Sequence, residues 1–123
     1  MNYYLTLGSI FSKQETANLL FQQYGIDFEE RDGTYRGGSY FYSSTWICAD
    51  SVSVESNYIP FTERYQLNNY REFQTLIFLS IVKGNAKNKK SKYSYLLNQF
   101  NKSEKILILK NEILDNDGKI TNL

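Results

Sequence analysis

The sequence predicts an α+β domain, in which a mostly antiparallel sheet carries two or three helices packed on one face. Three observations lead to this class: alternating apolar and polar residues typical of strands open the chain, capped amphipathic segments typical of helices follow, and turn dipeptides separate the remaining candidate strands. At 123 residues, with no internal repeat and no linker, the chain is expected to form one domain over residues 1–123.

The first strand and the first helix have the clearest signals. The opening "NYYLTLGS" alternates with a period of two and predicts a half-buried strand. Ser12 and Glu15 then form a capping box, and apolar residues at helical spacing predict a helix over residues 13–24. Gly25 is expected to end this helix in a left-handed conformation.

The middle of the chain has the pattern of strands. The dipeptide Asp32-Gly33 is typical of a hairpin turn, and Tyr40 and Tyr42 alternate with an intervening phenylalanine. "SVSVES" (51–56) alternates valine with polar residues and predicts a strand with one face in solvent. The glycines at 37 and 38 are expected to form a bulge or a turn, and the single proline to lie at an edge or an end.

The stretch "NNYREFQTLIFLSIVKG" predicts a second helix, capped by Asn69 and stopped by Gly84. Its apolar stripe runs from Phe73 to Ile81 and is wide, so we expect this segment to be the central helix of the fold. The basic residues 83–92 that follow are expected to form a loop without regular structure.

Three shorter elements complete the predicted order. "YSYLLNQFN" is expected to form a short third helix, and "EKILILK" a strand covered on both faces. "NEILDNDGKITNL" predicts a short strand, a turn at Asp117-Gly118 and a final strand.

Composition excludes most catalytic chemistry. The chain has no histidine, which removes the commonest general base and zinc ligand, and its single cysteine, Cys48, has no recognisable base beside it. We therefore expect no enzyme, no metal, no cofactor and no small-molecule substrate. The lone cysteine, the missing export signal and the shortness of the apolar run "LIFLSIV" indicate a cytoplasmic protein that does not enter a membrane.

A binding surface is the remaining interpretation. Acidic residues run directly into a tyrosine-rich segment, which suits protein recognition because tyrosine gives rigid contact area and carboxylates steer a basic partner. The candidate partner-binding residues are Glu29, Glu30, Asp32, Tyr35, Arg36, Tyr40 and Tyr42. The alternative, that these tyrosines cover the sheet under a helix, stays open at this point.

A nucleic-acid-binding module is the second hypothesis. The basic stretch Lys83 to Lys92 carries five lysines and no acid, and exposed tyrosines could stack on bases. Against it, the net charge is only +1, the aromatic residues do not interleave with the lysines, and no RNA-binding signature is present. Nucleic acid is therefore the less favoured partner.

Three segments resemble small bacterial immunity proteins of polymorphic-toxin systems, including contact-dependent growth inhibition. These are "NYYLTLGSIFSKQETANLLFQQYGI", which is similar to the family's first strand and capped helix, "YREFQTLIFLSIVK", similar to its long apolar helix, and "KILILKNEILDNDGKITNL", similar to its closing strands. Together they cover about half of the chain. The stretches "TYRGGSYFY" and "GNAKNKKSKYSYLLNQFNK" depart from the family pattern.

The resemblance implies a cytoplasmic protein that binds the C-terminal toxin domain of a large secreted or surface-displayed protein and blocks it. Toxins of such systems are often nucleases, which tend to be basic. We expect the segment 32–46 to accept a stretch of the toxin by strand addition, with Tyr35, Tyr40 and Tyr42 forming side-chain pockets.

Overall fold

In the computed structural model, which describes residues 1–115 and the backbone of residues 120–122, a seven-stranded antiparallel sheet carries two helices on one face. This confirms the predicted α+β class. The helices are α1 (Lys13–Tyr24) and α2 (Ala86–Asn101). The strands are β1 (Asn2–Ser9), β2 (Glu29–Gly33), β3 (Gly38–Ser43), β4 (Ser51–Ser56), β5 (Tyr58–Ile59), β6 (Arg64–Tyr65), β7 (Thr75–Ile81), β8 (Ile106–Leu114) and β9 (Ile120–Asn122). The sheet order is β2-β3-β4-β7-β1-β8-β9, and β5 and β6 form a separate two-stranded ribbon.

Helix α1 forms as predicted. The Ser12 hydroxyl accepts the backbone N–H of Glu15 at 3.2 Å, and the Glu15 carboxylate accepts the backbone N–H of Ser12 at 3.3 Å. Both parts of the capping box are therefore present. Gly25 ends the helix at φ 69°, in the left-handed region, and its N–H donates to the carbonyl of Phe21 at 2.9 Å.

The predicted central helix is wrong, because residues 75–81 form strand β7 in the middle of the sheet. A strand that pairs on both sides and buries most of its residues has a nearly continuous apolar sequence, and over seven residues such a run also matches helical spacing. The residues expected to cap the helix form a single 3-10 turn, Asn68–Tyr70. Strand length and the Ile and Phe content favour the strand.

The predicted basic loop is also wrong, because most of residues 83–92 form the first half of α2. The side chain of Asn85 caps the helix by accepting the N–H of Asn88 at 2.8 Å. The buried side of the helix carries Lys89, Tyr93, Leu96 and Phe100. Because a lysine occupies the first buried position, the first half of the helix lacks a recognisable hydrophobic pattern. The predicted short third helix is the second half of α2.

The end of the chain also differs from the expected pattern. "ILILK" and "NEIL" continue as one strand, β8, rather than forming two strands. The register of β8 against β1 shifts between Thr6 and Leu7, so that β8 accommodates one extra residue there. The predicted turn at Asp117-Gly118 lies outside the described residues, and the final strand is β9.

The main core lies between the sheet and both helices. Alternate residues of β1, β4 and β7 face the helices, since antiparallel partners that lie opposite each other share a face. These core residues include Leu5, Leu7, Val52, Val54, Ile77 and Leu79, and the helices add Leu20, Leu96 and Phe100. Full burial of each such side chain contributes about 1.5–3 kcal/mol.

The opposite sheet face is covered at only one end. The segment 58–74 crosses it there, and the Phe73 ring rests against Gly8, where an added Cβ would lie 2.7 Å from the ring. The hydroxyl of Tyr70 donates to the carbonyl of Leu109 at 3.3 Å and ties the segment to β8. The remainder of this face, called the open face below, carries neither helix.

The turn between β2 and β3 differs from expectation in detail. Thr34–Arg36 form a 3-10 turn between β2 and β3, so Asp32-Gly33 end a strand and do not form the hairpin turn.

The carboxylate of Asp50 accepts the backbone N–H groups of Val82 and Lys83 at 2.5 and 2.8 Å. Burial alone would raise the pKa of Asp50, but these hydrogen bonds and nearby lysines outweigh it and lower that pKa. No helix among the described residues is long and apolar enough to cross a membrane.

Candidate functional site

The open face contains a groove of about 660 Å³, within the size range of ligand pockets. Its floor consists of alternate side chains of β1, β4 and β7 that point away from the helices. The side chains that border it include Tyr4, Thr6, Ser51, Ser53, Phe78 and Ser80 on the floor and Tyr35, Arg36, Tyr42 and Gln66 around the rim. We call this feature the open-face groove.

The groove holds a carboxylate that is almost completely buried. The Glu55 side chain is only 7% exposed, although β4 was predicted to have one face in solvent. Ser53 donates its hydroxyl to Oε2 of Glu55, and the amide of Gln66 donates to Oε1 at 3.2 Å. The guanidinium of Arg36 lies 3.7 Å from Oε2. The predicted solvent face of "SVSVES" is therefore wrong.

The turn from Thr34 to Gly37, the 34–37 turn, brings Tyr35 and Arg36 to the groove. Gly37 has φ 85°, and a Cβ there would lie 2.5 Å from Cβ of Ser56, so the turn packs directly against β4. The ammonium of Lys13 at the start of α1 donates to the carbonyls of Gly37 and Ser39, the former at 3.4 Å. The turn is therefore held in place both by packing against β4 and by hydrogen bonds from Lys13 of α1.

Two exposed rings form a ridge beside the groove. Tyr35 and Phe61 are 67% and 66% exposed, and their rings meet edge to face with centroids 5.4 Å apart. Phe61 lies in the connection between β5 and β6. On these two strands, Tyr58 and Tyr65 form a second ring pair with centroids 5.2 Å apart. We call Tyr35 and Phe61 the aromatic ridge. Phe61 was not among the predicted binding residues, although its place directly after the single proline was a signal for it.

The predicted partner-binding residues fall into two groups. Tyr35, Arg36 and Tyr42 meet at the groove. Tyr40 is only 7% exposed and lies beneath the guanidinium of Arg36, 4.7 Å from its ring centroid, so it supports the rim and offers no exposed pocket. Neighbouring tyrosines therefore differ, since Tyr35 is exposed whereas Tyr40 is packed in the protein.

The three acidic residues Glu29, Glu30 and Asp32 are all exposed and lie on β2, at the edge of the sheet. Arg31 between them pairs with Glu29 and lies over the ring of Tyr42, 4.1 Å from its centroid. Strand β3 lies between β2 and β4 inside the sheet and therefore offers no free edge for the predicted strand addition over 32–46. The edge strand is β2 (29–33), which overlaps the predicted segment only at residues 32 and 33.

The remaining reactive group lies apart from this site. Cys48 is partly buried, and burial raises the pKa of its thiol while Lys92 opposes that effect. Its thiolate fraction at neutral pH is therefore small. Within the part of the chain that the structure describes, no three Cys, Asp or Glu residues come together as a metal-binding group.

No family model matches the chain, and no curated protein matches it in sequence. Of the three segments on which the expected resemblance to immunity proteins was based, "YREFQTLIFLSIVK" was expected to form a helix but contains strand β7. The first segment keeps its predicted strand and helix, and the last contains strands β8 and β9.

Proposed function

We propose that this protein is a bacterial immunity protein, which binds the C-terminal toxin domain of a secreted or surface-displayed protein in the cytoplasm of the producing cell. It neutralises that domain by occupying its surface and catalyses no reaction itself. The observation that supports this most is the aromatic ridge, which lies beside the open-face groove and near an acidic sheet edge.

The aromatic ridge has the character of a binding hot spot. Tyr35 and Phe61 leave about two-thirds of their surface in water and contact each other, so together they present a continuous aromatic patch that suits coverage by a partner. Their positions are fixed on short turns, one of them held by Gly37 and Lys13, so little entropy is lost on binding. Burying such rings at the centre of an interface commonly contributes 2 kcal/mol or more each.

The acidic edge indicates the charge of the partner. Glu29, Glu30 and Asp32 outnumber the single cation Arg31 on β2, and Arg31 already pairs with Glu29. An excess of negative charge accelerates association with a basic surface such as that of a nuclease. The outer side of β2 also suits addition of a toxin strand, with backbone hydrogen bonds giving affinity.

The lysine-rich segment supports the alternative partner, nucleic acid, less well. Its lysines lie in or next to α2, on the helix side of the sheet, whereas the aromatic ridge lies beside the groove on the open face. Lys89 is buried, and its ammonium donates to the side chain of Asn2 at 3.4 Å. Single-stranded nucleic acid that stacked on the aromatic ridge would therefore not contact these lysines, which lie on the opposite side of the sheet.

The test uses the last domain of any large secreted protein encoded next to this one. We expect co-expression to protect cells from that domain and the two purified proteins to form a stable complex. Replacing Tyr35 and Phe61 together by Ala should weaken the complex at least 100-fold, about 2.7 kcal/mol. The control Phe21→Ala removes a ring of similar exposure, 55%, from α1, and should change affinity less than threefold.

Absence of protection and of a complex would refute the proposed function. Protection that survives in the double variant would place the contact elsewhere on the protein and refute the role of the ridge. A salt titration of any nucleic-acid binding, with a steep loss of affinity, would instead favour the alternative partner.

A further inference from the structure

We infer that the open-face groove is a receptor for one arginine side chain of the protein partner, whose guanidinium replaces that of Arg36 at the carboxylate of Glu55. The inference rests on the proposed function only in taking the partner to be a protein. Its grounds are the hydrogen bonding of Glu55, the exposure of Arg36 and the aromatic border of the groove.

The carboxylate of Glu55 has acceptor capacity left over. An ionised carboxylate has about four acceptor positions. Among the hydrogen bonds of the described residues, only those from Ser53 and Gln66 reach it, and Arg36 at 3.7 Å lies beyond hydrogen-bond distance. Each oxygen therefore has one hydrogen bond, and the carboxylate can accept a further donor without losing either of them.

The guanidinium of Arg36 can be displaced from Glu55 by such a donor. Its side chain is 48% exposed, and an ion pair with one partner in solvent is weak. Its guanidinium also lies over the ring of Tyr40 at 4.7 Å, a contact that can persist when Glu55 takes another partner. Displacement of Arg36 therefore costs little and leaves its charge solvated.

The aromatic border of the groove favours a guanidinium over other groups. Two arginines next to the groove, Arg31 and Arg36, already lie over the rings of Tyr42 and Tyr40 at 4.1 and 4.7 Å. A planar guanidinium stacks on rings and binds a carboxylate through two N–H groups, whereas an ammonium is a compact and strongly hydrated charge.

Other occupants fit the groove less well. An anionic group would approach the negative charge of Glu55 in a poorly solvated position. An apolar side chain would cover the carboxylate of Glu55 without offering it a hydrogen bond. The excess of acid on the neighbouring strand β2 also favours a cationic segment of the partner.

The test is an NMR titration of the isotope-labelled protein with L-argininamide and, as the matched control, L-citrullinamide, which replaces the guanidinium by a neutral urea. We expect saturable shifts at residues 34–37, 51–56 and Gln66 with L-argininamide, and at least tenfold weaker binding of L-citrullinamide. Glu55→Gln should weaken L-argininamide binding at least tenfold. Arg36→Gln removes the internal competitor and should strengthen it about threefold.

The inference is overturned if L-argininamide gives no saturable shifts at these residues, or if the neutral amide binds equally well. Unchanged affinity in Glu55→Gln would also overturn it. Should that variant not fold, Arg36→Gln decides the matter, because an affinity that does not rise refutes competition at Glu55. The titration contains no toxin, so its failure leaves the proposed function standing, and loss of toxin protection alone leaves the groove standing.

Discussion

Replacing Gly37 by Ala should displace the 34–37 turn, and Gly38→Ala provides a matched control. Both glycines have positive φ angles, 85° and 91°. A Cβ at position 37 would lie 2.5 Å from Cβ of Ser56, whereas a Cβ at position 38 has nothing within 4 Å. The two variants therefore carry the same kind of backbone strain, and only Gly37→Ala adds a steric conflict with β4.

The expected magnitudes follow from these two terms. A residue other than glycine in the left-handed region costs about 1–2 kcal/mol, and both variants should lose that much stability. Gly37→Ala adds an overpacking term of about 1–3 kcal/mol, since Cβ of Ser56 is fixed to the backbone and cannot rotate away. We expect Gly37→Ala to be the less stable of the two by about 1 kcal/mol or more.

Urea denaturation of the two variants measures this difference, and the affinity for the proposed toxin domain measures the displacement of Tyr35 and Arg36. Ser56→Gly in the Gly37→Ala background removes the opposing Cβ and should restore part of the difference. Equal stability of the two single variants, within about 0.5 kcal/mol, would refute the packing of this turn against β4.

Three further predictions concern the fold. Gly8→Ala places a Cβ 2.7 Å from the ring of Phe73 and should destabilise the protein by about 1–3 kcal/mol in urea denaturation, while an unchanged midpoint would contradict that contact. The lowered pKa of Asp50 contributes stability that is present above its ordinary value of 3.8 and is lost as the pH falls through the folded-state value. Asp50→Asn should therefore be less stable than the wild type at pH 7, with a gap that closes on acidification in pH-dependent melting. Burial raises the pKa of Cys48, so its alkylation by iodoacetamide at pH 8 should be several-fold slower in the native than in the urea-unfolded protein, and equal rates would show an accessible thiol.

The elements predicted correctly are those with local signals at their ends. Ser12, Glu15 and Gly25 determine the bounds of α1 through hydrogen bonds within a few residues of each other. Strand β7 has no such local signal, since its apolar run fits either a buried strand or a helix, and its pairing partners are β1 and β4, far away in sequence. The class of fold was predictable, but the central element was not.

The candidate site was predictable only in part for the same reason. Tyr35, Arg36 and Tyr42 stood out because glycine and acidic residues surround a dense run of tyrosine. Glu55, Gln66 and Phe61 did not, because their roles depend on contacts with the 34–37 turn and the floor of the groove. Sequence patterns near one segment cannot reveal side chains that other segments bring to it.

Strand β7 connects the core and the groove. Ile77, Leu79 and Ile81 point to the helices and bury the core, while Phe78 and Ser80 point to the open face and form part of the groove floor. If residues 75–81 were a helix, β4 and β1 would lose their common neighbour and the groove would lose its floor. A strand with a nearly continuous apolar sequence therefore does not need a helix on each face of the sheet, since the groove lies against one face of β7 here.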